Sequence, residues 1–409
     1  MSRSPIDNGA LFLRGADIVA VGPARRVLGH APAGTPVFDL GEVAVLPGLV
    51  NAHAHLDYTD MAGQLLPPRS FTDWIKLITE AKSGWARADF VVSWKNGARM
   101  LLESGTTTVA DIEAVPDILP EVWAATPLRV ISFLEITGVR SRLDPETVIQ
   151  DMTIRAQQLS SGPGATGFAP HAPYSTTPAM LRRAATTARA HRWPLSTHVA
   201  ESVEEDDMFR HARGPMFDWL QRNRRDMSDC GIGSPVAHLE RHGLLGPDLL
   251  AVHANCIDRH DVRRLARRGP SVVHCPRSHA YFGHPPFQYH ALTRAGVRVC
   301  LGTDSLATVL TKRGQPVALD LFAEMRAFAD AFPEVRPGDI LRLCTTAGAA
   351  ALGRQGRAGC LKAGAAADLI AVACTTSPRH VEESVLAHVG PVTVSMIGGR
   401  FVLGGTDAD

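Results

Sequence analysis

The chain lacks the features that would place it in several simple classes. Its seven cysteines are odd in number and scattered without a CxxC pair, which argues against a disulfide framework and a thiolate zinc site. Neither charge sign dominates, since 42 Lys and Arg stand against 41 Asp and Glu for a formal charge of +1. Nucleic-acid and membrane-surface binding both favour a basic excess, so neither partner is expected. No apolar run approaches the roughly 20 residues of a membrane span. The opening Met1-Ser2-Arg3-Ser4-Pro5 is not followed by the apolar core of a signal peptide. A cytoplasmic protein acting on a small molecule is the expectation. There is also no low-complexity linker and no internal repeat.

What is present is ordinary in bulk and specific in pattern. With 45% hydrophobic and 20% charged residues over 409 positions, the chain suits a soluble globular protein of one large domain with an appendage, or of two domains. Both ends read as strands and turns. At the start these are Ala10–Leu13, Asp17–Gly22 and Thr35–Leu40, and at the end Ala367–Val372 and Val392–Leu403. Residues 1–46 and 360–409 are therefore expected to pair into one small β domain.

The middle, residues 47–359, alternates short apolar strands with helix-like stretches rich in Ala, Arg and Leu. Eight strands are expected, ending near 55, 109, 133, 169, 197, 252, 273 and 302. Eight such units over some 300 residues argue for an α/β fold of the (β/α)8 TIM-barrel type, with a small β-sandwich domain formed by both termini. A doubly wound open sheet competes, but no GxGxxG follows the first strand to favour it. The stretch 202–248 is long for a connection and is expected to hold extra helices over the barrel mouth. Its charge run, Glu204-Glu205-Asp206-Asp207, reads as a solvated helix start.

The chemistry lies at the strand ends. His53-Ala54-His55 places two imidazoles on one face of a strand, a good start for a zinc or iron site. His171, His198, His253, His274 and Asp304 stand at the ends of later strands. In a barrel those ends share one face, where active sites form. A divalent metal with an open position makes hydroxide available at neutral pH, and Glu201, three residues beyond His198, can relay its proton.

These residues resemble the amidohydrolase superfamily over nearly the whole chain. The resemblance rests on Pro47-Gly48-Leu49-Val50-Asn51-Ala52-His53-Ala54-His55, His198-Val199-Ala200-Glu201, His253 and Leu301-Gly302-Thr303-Asp304. It is strongest to the cytosine/guanine deaminase and chlorohydrolase-like branch. That resemblance implies one divalent metal, zinc first and iron second, held by His53, His55, His198 and Asp304. It implies Glu201, His253 and Asp304 as catalytic residues. The binuclear relatives' carboxylated lysine on the fourth strand has no counterpart, since no lysine lies between Lys95 and Lys312.

For substrate contacts, Gly167 to Ser175 resembles the segment of adenosylhomocysteine-deaminase-like enzymes whose histidine touches substrate, which points to His171. In His274-Cys275-Pro276-Arg277-Ser278-His279-Ala280-Tyr281, His279 stands where that group has Asn, so Arg277, His279 and Tyr281 are candidates for a different ring or an acidic group. Trp74, with Tyr58 and Phe71, is expected to cover the site and offer stacking. The expected reaction is hydrolytic deamination of an amino-substituted heterocycle, a purine-type base or nucleoside, with aminodeoxyfutalosine a specific candidate. The alternative is a chlorohydrolase-like dehalogenase or cyclic-amide hydrolase on the same site. Relatives are often dimers, so the resemblance allows a homodimer.

Overall fold

The computed structural model describes residues 4–65, 70–139, 143–311, 317–376 and 379–404; Met1 to Arg3 of the opening segment and Lys312 lie outside them. Eight parallel strands form the central sheet, and we number them β1 to β8. They are Leu49–Ala54, Thr106–Glu113, Arg129–Ile136, Ala165–Pro170, Leu195–Val199, Leu249–His253, Ser271–His274 and Arg298–Leu301. Each pairs with the next in sequence. Helices intervene, such as Arg87–Glu103 before β2 and Pro178–His191 before β5.

The sheet closes where β1 meets the end of β8. Ala54 and Asp304 form a parallel bridge, and the amides of Thr303 and Asp304 donate to the His53 carbonyl at 2.9 and 3.1 Å. Buried Asn51 fixes the seam. Its Oδ1 accepts from the amides of Thr303 (3.1 Å) and His53 (3.3 Å), and its Nδ2 donates to Thr303 Oγ1 at 2.8 Å. Gly302 is needed there because a Cβ would stand 2.7 Å from the His53 carbonyl oxygen and 2.8 Å from its Cβ.

The barrel is packed, not hollow. Val50, Ala110, Ile112, Ile131, Phe133, Leu250, Val252, Val273 and Cys300 belong to one buried cluster. Residues from strands on opposite sides can meet only in the interior. Helix Thr346–Ala351 lends Ala349 to the same cluster at the closed end. The outward residues, among them Val109, Val130, Phe168, Leu195, Ala251 and Val299, pack against the surrounding helices.

The chain ends build the appendage, as two sheets. Val43–Pro47, Leu369–Ala373, Val394–Ile397 and Arg400–Leu403 make a four-stranded antiparallel sheet, and Gly9–Arg14 with Asp17–Pro23 make a hairpin. The Ile18 amide donates to Ala365 O at 2.9 Å and the Ala367 amide to Ala16 O at 2.8 Å, interlacing the two ends. A bidentate pair, Arg129 with Asp368 at 2.6 and 3.0 Å, ties this region to β3.

Two local readings are corrected. Residues 35–40 form no strand. Pro36 lacks a ladder donor, Val37 is 68% exposed, and Phe38 finds its apolar contact edge-on to Phe401. The segment 202–248 does hold three helices, Val203–His211, Pro215–Arg222 and Pro235–Arg241. Its charge run starts the first of them and is solvated only in part, Asp206 and Asp207 being half-exposed. Glu205 is fully buried, and Glu204 accepts from the amides of Phe71 and Thr72 at the start of helix Phe71–Ser83. No described helix is long and apolar enough to cross a membrane.

Candidate metal centre and active site

His53, His55 and His198 bring one ring nitrogen each to within 4.8 Å of the others. All three rings are buried. His55 Nε2 and His198 Nε2 face each other at 3.3 Å. Asp304 Oδ1 lies 3.5 Å from His53 Nε2 and 3.7 Å from His55 Nε2. Neither His53 nitrogen has a hydrogen-bond partner, nor does His55 Nδ1. A buried nitrogen without a partner is costly, and a divalent cation facing His53 Nε2 would remove that cost there. The donor set, three imidazoles and a carboxylate, fits zinc or iron.

The surroundings orient the donors. His198 Nδ1–H donates to the His171 carbonyl at 2.8 Å, which leaves the Nε2 lone pair facing the cluster. Tyr58 stacks on His55 with ring centroids 5.2 Å apart, and Lys82 sits over Tyr58 and donates to its hydroxyl. Thr308 Oγ1 donates to Asp304 Oδ2 at 3.3 Å. Asp304, His253, Ala254 and Ala200 all adopt positive φ. Such strain in residues with a Cβ concentrates at functional sites.

Electrostatics prepare these groups for a cation. Burial, then the neighbouring His53, holds His55 well below the usual imidazole range. Burial, then His171 and His53, brings His198 down to about 3. Both are neutral imidazoles at neutral pH. Burial alone would raise Asp304, but the imidazoles of His53, His253 and His55 outweigh it and keep its carboxyl well below the ordinary value.

A second pair sits alongside. Glu201 Oε1 lies 3.4 Å from His253 Nε2, and the His253 ring stacks on that of His198 with centroids 5.4 Å apart. Burial, then the charges of Asp304 and Glu205, pushes Glu201 well above the usual carboxylate range. Burial first, with His198 and His53 adding to it, keeps His253 well below its ordinary value.

The expected substrate contacts divide. His171 lies beside the cluster, with its ring centroid 4.7 Å from that of His198 and Nδ1 2.7 Å from Ser175 Oγ. Burial, then Lys82, lowers it to about 3. His279 Nδ1 meets Asn255 Oδ1 at 3.0 Å. Trp74 packs with Phe71 and Phe282, and its Nε1 is buried without a partner. Tyr281 donates to the Leu65 carbonyl at 3.3 Å. The Arg277 guanidinium turns to Glu324 and donates to the Ala318 carbonyl at 3.0 Å. That leaves Arg277 engaged in an internal ion pair.

Sequence reasoning passed over Asn51, Glu205 and Asn255. Ser202-Val203-Glu204-Glu205 carries the S-x-x-E signal of a helix start, which could have marked Glu205. A cavity of about 440 Å³ lies among Arg129, Ile131, Ala165 and Arg357, around the chain-entry ends of β3 and β4. Two of its charges are matched, Arg129 by Asp368 and Arg357 by Asp17.

An eight-stranded α/β barrel with a histidine and carboxylate cluster at its rim defines a metal-dependent hydrolase. Comparison with known proteins agrees. Residues 44–402 match the model of the amidohydrolase family, and the chain belongs to that family. It is an enzyme, a hydrolase of C–N bonds other than peptide bonds. A 5-methylthioadenosine/S-adenosylhomocysteine deaminase of Syntrophobacter fumaroxidans is 32% identical over 381 residues, covering 90% of this chain and 80% of that one. An aminodeoxyfutalosine deaminase of Deinococcus radiodurans is 27% identical, covering 84% and 81%. The crystal structure of an adenosine deaminase from Xanthomonas campestris with bound zinc superposes with a TM-score of 0.83 at 26% identity, covering 99% and 91%.

Proposed function

We infer that this protein is a zinc-dependent deaminase of adenine-type nucleosides. The observation that carries this is the convergence of His53, His55 and His198 beside Asp304, with Glu201 and His253 adjacent. The names of the relatives support adenine as the ring. Zinc is assigned over iron because the Xanthomonas structure carries it.

His53, His55, His198 and Asp304 would hold the ion, which supplies the Lewis acidity that lowers a coordinated water's pKa from about 15.7 to about 7. Glu201 takes a proton from the attacking water and delivers it to the ring nitrogen beside the amino-bearing carbon. Its raised affinity for a proton suits a group that must both accept and give one. His253 orients the water through Nε2 and stabilises charge as the ring carbon becomes tetrahedral. The proton of the hydroxyl now on that carbon then passes to the amino group, the C–N bond breaks, and ammonia leaves with a carbonyl in its place. His171, Trp74 and His279 would contact the base and its substituent. Arg277 and Tyr281, both engaged internally, would shape that wall.

The test is an ammonia-release screen of the zinc-loaded enzyme against adenosine, 5-methylthioadenosine, S-adenosylhomocysteine and aminodeoxyfutalosine, with Glu201→Gln as the blank. Ammonia from at least one, absent in the blank, is the expected result. Chloride from a chlorinated ring with no ammonia from any nucleoside would instead establish the dehalogenase reading.

A further inference from the structure

We propose that Glu205 and Asn255 are positioning residues that clamp the Glu201 peptide from both sides and so aim its carboxylate. The inference rests on the deaminase reading and deepens it.

The clamp is built from the helix start at Ser202. In an ordinary capping box the residue at the third helical position reaches back to the amide of the cap residue. Here Ser202 Oγ accepts from the Glu205 amide at 3.2 Å, but the Glu205 side chain passes beyond Ser202. Its Oε2 accepts from the Glu201 amide at 2.8 Å. On the other side, Asn255 Nδ2 donates to the Glu201 carbonyl at 3.1 Å, and the Cys256 amide donates to the Ala200 carbonyl at 2.8 Å. Both polar groups of the Glu201 backbone are thus held by buried side chains.

The hold has something to work against. Ala200 sits at φ +50°, a left-handed conformation that is strained for a residue with a Cβ. Released, the turn relaxes, and the carboxylate leaves its place beside His253. The hydrogen bond between Asn255 Oδ1 and His279 extends the clamp to the position that departs from the Asn of related enzymes.

The test uses the zinc-loaded enzyme and three variants: Glu205→Ala, Glu205→Gln and Asn255→Ala. Misplacement by about 1 Å costs on the order of 100-fold in rate, so Glu205→Ala and Asn255→Ala should lose about that in kcat with KM changed less than about threefold. Glu205→Gln keeps an acceptor oxygen in place and should recover most of the rate. Crystal structures of the variants give a readout independent of substrate. Glu201 should have left the 3.4 Å contact with His253 Nε2 in both alanine variants and kept it in Glu205→Gln. Should Glu205→Ala fail to fold, Asn255→Ala and Glu205→Gln decide the question by the same two readouts. An unmoved Glu201, or an unchanged kcat, in Asn255→Ala or Glu205→Ala would overturn the clamp. If the wild-type enzyme deaminates none of the nucleosides, the deaminase reading fails, while the crystallographic arm still decides whether the clamp exists.

Discussion

At the scale of single residues, the proposed mechanism assigns holding the ion and moving the proton to different side chains. His198 is a buried donor whose Nδ1 is already committed to the His171 carbonyl. Replacing it by alanine removes one of the three converging nitrogens. His198→Ala should therefore lose most of its zinc by elemental analysis, and its activity with it. Glu201 touches His253 and none of the three converging nitrogens. Glu201→Gln should keep full zinc occupancy yet fall by about 10²–10⁴ in kcat, the range for loss of a general acid–base group. Equal zinc loss in both variants would contradict this division. The strand-end positions of His53, His55, His198 and Asp304 were legible in the sequence, as were those of His171, His253 and His274, and only the family resemblance singled out the four as expected ligands. Glu205 and Asn255 were not, because they act through backbone amides and carbonyls whose positions depend on a left-handed turn at Ala200.

At the scale of elements, the site depends on how β1 and β8 meet. The strands themselves follow from apolar runs between Gly and Pro punctuation, so all eight could be read in order. The closure could not, because it rests on the side chain of Asn51 and on the bare Cα of Gly302. Gly302→Ala would press a methyl group against the His53 carbonyl and Cβ. Overpacking of this kind costs about 1–3 kcal/mol, measurable by urea titration, and it should lower zinc affinity because His53 moves. A zinc affinity equal to wild type in a destabilised Gly302→Ala protein would separate the seam from the site. Residues 35–40 illustrate the opposite failure. Their β propensity is real, but no sheet edge accepts them, and propensity alone does not make a strand.

At the scale of the whole molecule, buried neutral histidines set the acid limit. Burial holds His198 and His238 at about 3 in the folded chain, against about 6.5 for an ordinary imidazole. Between those values the unfolded chain binds more protons than the folded one. The stability they contribute is therefore present above about pH 6.5 and is lost as pH falls toward 3. Zinc-free protein should show a melting temperature that drops steadily through that window. An ion that binds only the folded state would add about 4 kcal/mol at a free concentration a thousand times its dissociation constant. The zinc-loaded protein should therefore melt higher than the zinc-free protein near neutral pH.

The most direct test of the account is anomalous diffraction at the zinc edge from crystals grown with zinc. It predicts one strong peak per chain, bounded by the facing nitrogens of His53, His55 and His198 and by Asp304 Oδ1. A peak elsewhere, or none at that position in a fully loaded crystal, would contradict it.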